Sequence, residues 1–280
     1  MWTEHRLISF DKTPIFYRRL EPSGPPRAVL ILVHGMGEHG GRYRHAAEYF
    51  AEAGVECFIP DLRGFGKSGG KRACVNTFLD FHRDLGALHA FVDRSRKESP
   101  IFLMGHSFGG LIASSYLAFA GPPTVSGLIL SSPIFGIAIP VPPWRHILGI
   151  LTSYLWPDYT QSNRVKPEML THDKKIFERY QEDSLIDQRI SAGLYRELVT
   201  MIAKKEAIAR QITCPVLIQQ AGQDFVVSSE AVRDFYRLLK TPDKEIDIYD
   251  DFYHEILNEI GRDKVLSRII RWLLKNLYRK

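Results

Sequence analysis

Three residues far apart in the chain have the types and the order needed for covalent acyl-transfer chemistry. Ser107 sits in Gly105-His106-Ser107-Phe108-Gly109, entered by an apolar run at 101–104 and left through small and apolar residues at 108–120. A strand that turns sharply into a helix strains such a serine and lifts its hydroxyl above the sheet. Glycines at 105 and 109 fit because side chains there would collide with the neighbouring strand and helix. Of the ten histidines, only His146, His172 and His254 follow Ser107. His254 comes just after the alternating residues 244–249, which places it on a loop at a strand's C-terminal end, where open α/β sheets put their chemistry. Asp224 follows the buried-strand pattern of 215–222 and is expected at the same sheet edge. Asp250 and Asp251 are alternative acids, although their closeness to His254 in sequence makes the geometry awkward.

Acyl transfer also needs backbone N–H donors for the oxyanion. The Phe108 amide, at the start of the helix after the nucleophile, is one, and the helix dipole adds positive potential there. The second is expected from the loop His34-Gly35-Met36-Gly37 after the strand at 28–33, with the Met36 amide as donor. His34, His39 and His106 read as structural. Glu38, Asp61, Arg63 and Asp84 read as braces of the loops around this site.

Four blocks, His34-Gly-Met-Gly-Glu-His-Gly-Gly-Arg-Tyr43, Asp61-Leu-Arg-Gly-Phe-Gly-Lys-Ser-Gly69, Gly105-His-Ser-Phe-Gly-Gly110 and Tyr253-His-Glu-Ile-Leu-Asn-Glu259, occur in order. Together they resemble the monoacylglycerol lipase and lysophospholipase group of the α/β-hydrolases. The resemblance implies Ser107, Asp224 and His254 as a triad and Met36 with Phe108 as the oxyanion hole. Phe108 is a departure, since the group often carries Met there; the backbone donor survives, but the pocket floor changes shape. The implied substrate is a small lipid ester with one fatty acyl chain. Other enzyme readings are a short-chain esterase, a thioesterase or an aminopeptidase of related fold. Haloalkane dehalogenases and epoxide hydrolases would need Asp where Ser107 stands. A catalytically silent ligand-binding scaffold would be expected to have lost one of the three residues.

With 280 residues, 45% hydrophobic and 25% charged, the chain is long enough for one large core with an insertion. Strand patterns fall at 5–10, 15–20, 28–33, 55–59, 101–104, 126–131, 216–220 and 245–249. Helical patterns fall at 42–53, 77–96, 108–120 and 229–240. This alternation predicts a mostly parallel, eight-stranded α/β-hydrolase sheet flanked by helices, with an inserted helical lid. The expected division is a core at 1–133 and 211–280 and a cap at 134–210. The final stretch puts Val265, Leu266, Ile269, Ile270, Leu273, Leu274 and Leu277 on one helical face with basic residues elsewhere, the pattern of a last core helix rather than of a membrane anchor.

Within the cap, residues 133–143 are uncharged and broken by prolines. Ile147, Leu148, Ile150, Leu151, Tyr154 and Leu155 then follow helical spacing. That helix reads either as buried or as a lid, with Ile147, Leu148, Leu151 and Leu155 lining an acyl site or resting on lipid. The later stretch 176–210, rich in both charge signs, reads as outer, solvated helices.

No run is long enough to span a bilayer, and the N-terminus lacks a signal-peptide apolar region. Three cysteines without disulfide spacing point with this to a cytoplasmic protein, with peripheral membrane contact through the lid. Cys57 and Cys214 read as inert, and Cys74, beside Lys71 and Arg72, as a candidate reactive thiol. The net charge of +5 carries no basic stripe with interleaved aromatics, which argues against nucleic acid. No metal or cofactor is expected: His254-Glu255 begins a zinc-site pattern, but Asn258 stands where the second histidine would be. Oligomeric state is left open.

Overall fold

Strands buried on both faces carry near-continuous apolar runs, and the residues of one such run then divide between two cores. In the computed structural model, which describes residues 1–96, 98–121 and 125–277, the strands are β1 (Trp2–Ile8), β2 (Pro14–Leu20), β3 (Ala28–Val33), β4 (Val55–Pro60), β5 (Ile101–His106), β6 (Gly127–Ser131), β7 (Thr160–Ser162), β8 (Arg189–Ser191), β9 (Val216–Ala221) and β10 (Lys244–Tyr249). Eight form one sheet in the order β1-β2-β4-β3-β5-β6-β9-β10. Only β2 pairs antiparallel with its neighbours, and the rest of the sheet is parallel. The expected eight-stranded, mostly parallel sheet is therefore the observed one. The first strand ends at Ile8 rather than continuing to residue 10, because a turn starts there: Ser9 and Thr13 bond through their backbones and Lys12 takes a positive φ of 67°.

The helices are α1 (Arg44–Glu52), α2 (Leu79–Ser95), α3 (Phe108–Ala120), α4 (Pro143–Leu155), α5 (Lys174–Glu182), α6 (Ala192–Ala203), α7 (Lys205–Gln211), α8 (Ser229–Leu238) and α9 (Asp263–Lys275). Val29, Ile31 and Val33 of β3 face a core completed by residues of α2, α3 and α8. Leu30 and Leu32 face the opposite core with residues of α1 and α9. Trp272 of α9, which the sequence reading leaves off the apolar face, is buried edge-on against Phe102. Only glycine fits at 127, since a Cβ there would lie 2.6 Å from the Trp272 ring. Burial of this size stabilises by about 1.5–3 kcal/mol per large side chain, which keeps α9 in the core.

Between β6 and β9 the chain inserts α4 to α7 and the small antiparallel pair β7–β8. The stretch expected as solvated outer helices is corrected in part. Leu194, Leu198 and Met201 of α6 are buried in the main core, since they recur at four and three residues along one face. α7, within the expected cap range, packs against α3 and α8 of the core. The last three residues of the expected second core segment, 278–280, lie outside the described residues.

Candidate active site

β5 ends at His106, and Ser107 turns the chain directly into α3 with φ 51° and ψ −115°. A non-glycine residue in this region costs about 1–3 kcal/mol, so its surroundings must hold it there. They do so sterically and by hydrogen bonds. A Cβ on Gly105 would lie 2.3 Å from the Gly109 carbonyl oxygen, and one on Gly109 would lie 2.2 Å from that of Val33. The Ser107 amide donates to Ser131 O at 2.9 Å, and Ile134 N donates to Ser107 O at 3.1 Å.

His254 reaches this serine from the loop after β10. Its Nε2 accepts from the Ser107 hydroxyl at 2.9 Å, and its Nδ1 donates to Asp224 Oδ2 at 2.8 Å. Asp224 stands on the loop after β9, with its other oxygen taking the Val226 and Val227 amides at 2.9 and 2.8 Å. Gln220 Nε2 donates to the Oδ2 that His254 uses, at 3.1 Å. Burial alone would raise the Asp224 carboxyl; the His254 charge and these hydrogen bonds override it and hold the group below the usual carboxylate range. Burial likewise opposes charge on His254, and the Asp224 carboxylate reverses that and raises the imidazole above its ordinary value. The two alternative acids, Asp250 and Asp251, are exposed on the turn after β10.

The loop after β3 lies against the nucleophile: a side chain at Gly35 would come within 3.4 Å of Ser107 Cβ. Met36 and Phe108 both line the cavity over Ser107. Among the described residues neither of their backbone N–H groups donates a hydrogen bond outside regular elements, which leaves both for an oxyanion. Glu38 fixes this loop by accepting from Gly35 N and the Tyr43 hydroxyl, both at 2.6 Å. The residues read as structural are so: His34 bonds Gly35 O and Leu62 N, and His39 bonds Asp183. Asp61 collects Arg18, Gly40 N and Lys67 N, while Arg63 grips Asp84. His106 touches the His254 ring at 4.9 Å between centroids. Burial and the neighbouring His254 charge push its pKa down to about 4, so it stays neutral and bonds Ser131 Oγ.

Sequence reasoning placed Glu38 among the braces but missed its ionic partner Arg42 and, beyond it, Glu255. Arg42 bonds both oxygens of Glu255 at 2.7 Å and Glu38 at 2.5 Å. Burial disfavours the Glu38 charge, but Arg42 outweighs it and brings the carboxyl to about 2. Glu259 is the second missed brace. It receives Thr171 Oγ1, His172 N and His172 Nδ1 from the insertion and Tyr253 N from the histidine loop. The i,i+4 spacing of Glu38 and Arg42 was the available signal; nothing local marks Glu255 as the distant partner of Arg42, or Glu259 as that of His172.

The cavity is lined mostly by apolar residues, Ile134, Ile137, Leu170, Ile190, Leu198 and Val226 among them, with polar residues at 161–164. The expected lid residues require a correction. Ile147, Leu148, Leu151 and Leu155 are absent from the cavity wall and are 55–69% exposed, because α4 packs on α6 and turns this face to solvent. Cys74 is also corrected: it is buried, and burial raises its thiol pKa, so it is no reactive thiolate.

A sheet of this topology, with a strained serine at a strand–helix turn and a histidine and acid on later loops, defines a hydrolase of the α/β-hydrolase fold. The chain matches the model of the serine aminopeptidase, S33, family over residues 24–261 and belongs to that family. It is 30% identical to the monoglyceride lipase of Rattus norvegicus over 275 residues, covering 95% of this chain and 89% of that protein. An abhydrolase domain-containing protein of Dictyostelium discoideum is 29% identical over 97% of this chain, which spans only 29% of that protein's length. The crystal structure of Paleococcus ferrophilus monoacylglycerol lipase superposes with a TM-score of 0.82 at 29% identity, covering 92% of this chain and 98% of that one.

Proposed function

We propose that the protein hydrolyses the ester of lipids carrying a single fatty acyl chain, monoacylglycerols or lysophospholipids, through an acyl-enzyme on Ser107. The observation that carries this is the hydrogen-bonded relay Asp224–His254–Ser107 at the foot of an apolar cavity wall. His254 Nε2 removes the hydroxyl proton as Oγ attacks the ester carbonyl, and Asp224 orients the imidazole and stabilises its charge. The oxyanion rests on the Met36 and Phe108 amides. Collapse expels the alcohol, which takes its proton from His254. Water, deprotonated by the same nitrogen, then cleaves the acyl–serine bond and regenerates the enzyme. The similarity to monoacylglycerol lipases supports the substrate class.

The inserted segment acts as the lid, and its exposed helix α4 rests on lipid. Trp144, Ile147, Leu148, Leu151, Leu155 and Trp156 are all more than half exposed there. An apolar surface of that kind marks a site of lipid or partner contact. No helix among the described residues is long and apolar enough to cross a membrane.

A panel of glycerol monoesters from acetyl to octanoyl, below their aggregation limits, tests the reading. Each buried methylene contributes about 0.8 kcal/mol, so kcat/KM should climb with chain length. Efficiency highest for the acetyl ester and falling thereafter would instead identify a short-chain esterase.

A further inference from the structure

Two arginines line the cavity over Ser107 without a partner charge. Arg145, in the first turn of α4, and Arg164, just after β7, both line it. Among the described residues neither has a carboxylate within ion-pair distance. The carboxylates lining the same cavity, Glu38 and Glu255, are engaged by Arg42. Arg145 lies over the Trp144 ring at 4.9 Å, a contact that leaves its N–H donors free. The first turn of α4 holds no acidic residue, so Arg145 adds its charge to the positive end of the helix dipole. Arg164 is held at a positive φ of 62° and its amide donates to Ser162 Oγ. Its neighbour Asn163 stands by the oxyanion loop, with Nδ2 3.4 Å from where a Gly37 Cβ would lie. Polar residues at 161–164 thus line the cavity beside the loop that carries Gly37.

A neutral glycerol offers two guanidinium groups only uncharged hydroxyl acceptors, whereas a phosphate ester supplies the negative charge and the paired oxygens that match their planar donors. We propose that Arg145 and Arg164 recognise an anionic phosphate head group and make lysophospholipids, rather than monoacylglycerols, the preferred substrates. This rests on the single-chain ester reading above.

The test compares 1-octanoylglycerol 3-phosphate with 1-octanoylglycerol, both as monomers in solution. The wild-type ratio of kcat/KM, anionic over neutral, is expected to be about tenfold or more. It should fall by a similar factor in Arg145→Gln/Arg164→Gln, fall less in Arg145→Lys/Arg164→Lys, which keeps the charge but not the planar donor fork, and decline as salt screens the charges. Both side chains are exposed, and an unchanged melting temperature confirms that the variants fold. A wild-type ratio near one, or a ratio that the glutamine pair leaves unchanged, overturns the proposal while the ester-hydrolase reading stands. So does an effect of the glutamine pair that appears only on phosphatidylglycerol vesicles and equally for both esters, which assigns the arginines to a bilayer surface. Hydrolysis of neither ester by wild type would bring down both readings.

Discussion

At the residue scale, Ser107, His254 and Asp224 form one hydrogen-bonded chain, and substitution tests whether they act as a unit. Ser107→Ala and His254→Ala are each expected to lower turnover by about a millionfold, with Asp224→Asn costing about ten-thousandfold because the histidine remains in the wrong tautomer. Asp250→Asn and Asp251→Asn should stay near wild type, since both lie exposed on the turn; steady-state kinetics on a soluble ester checks all five. The pH profile follows from the same geometry. His254 must be neutral to accept the proton, and Asp224 raises its pKa. Activity should therefore rise through one ionisation centred above the ordinary histidine value of about 6.5 and then level off. In Asp224→Asn the residual activity should titrate at lower pH, because the raising charge is gone. A midpoint unmoved by that substitution would refute the coupling. The three residues were legible because each follows a strand pattern in chain order. Arg42 and Glu255 were not, since they meet across 213 positions that only the folded sheet brings together.

At the scale of elements, α4 is where periodicity ran out. Its apolar spacing announced a helix with an unusual face, but not what lies opposite that face. The structure turns the leucines outward, so Leu148→Ser/Leu151→Ser should change stability by no more than about 0.5 kcal/mol. Hydrolysis of a monomeric short ester should be retained, while hydrolysis of long-chain ester presented in vesicles falls together with vesicle cosedimentation. Equal losses on both substrates with a lowered melting temperature would return α4 to the core. α6 misled in the opposite direction, since the charges around it conceal Leu194, Leu198 and Met201, which are buried. Mixed charge signalled solvent only on average over the stretch.

At the scale of the whole molecule, the sheet was readable because its interior strands β3, β4, β5, β6 and β9 are fully buried runs separated by helices or by the insertion, while β1, β2 and β10 flank them. The insertion was readable only as surplus chain between β6 and β9. Its contacts to the site, Asp187 N to Gly37 O and Glu255 N to Leu170 O, both 2.8 Å, leave no local pattern. Those contacts join the insertion to the loop after β3 and to the loop that carries His254.

The claim on which this account rests is that Ser107 is the acylated nucleophile. Treatment with a fluorophosphonate, followed by peptide mass mapping, reads it directly. The account predicts one stoichiometric adduct on the peptide bearing Ser107, blocked by competing monoacyl lipid and absent from Ser107→Ala and His254→Ala. No adduct on the folded wild-type protein, or an adduct on another residue that survives Ser107→Ala, would contradict it.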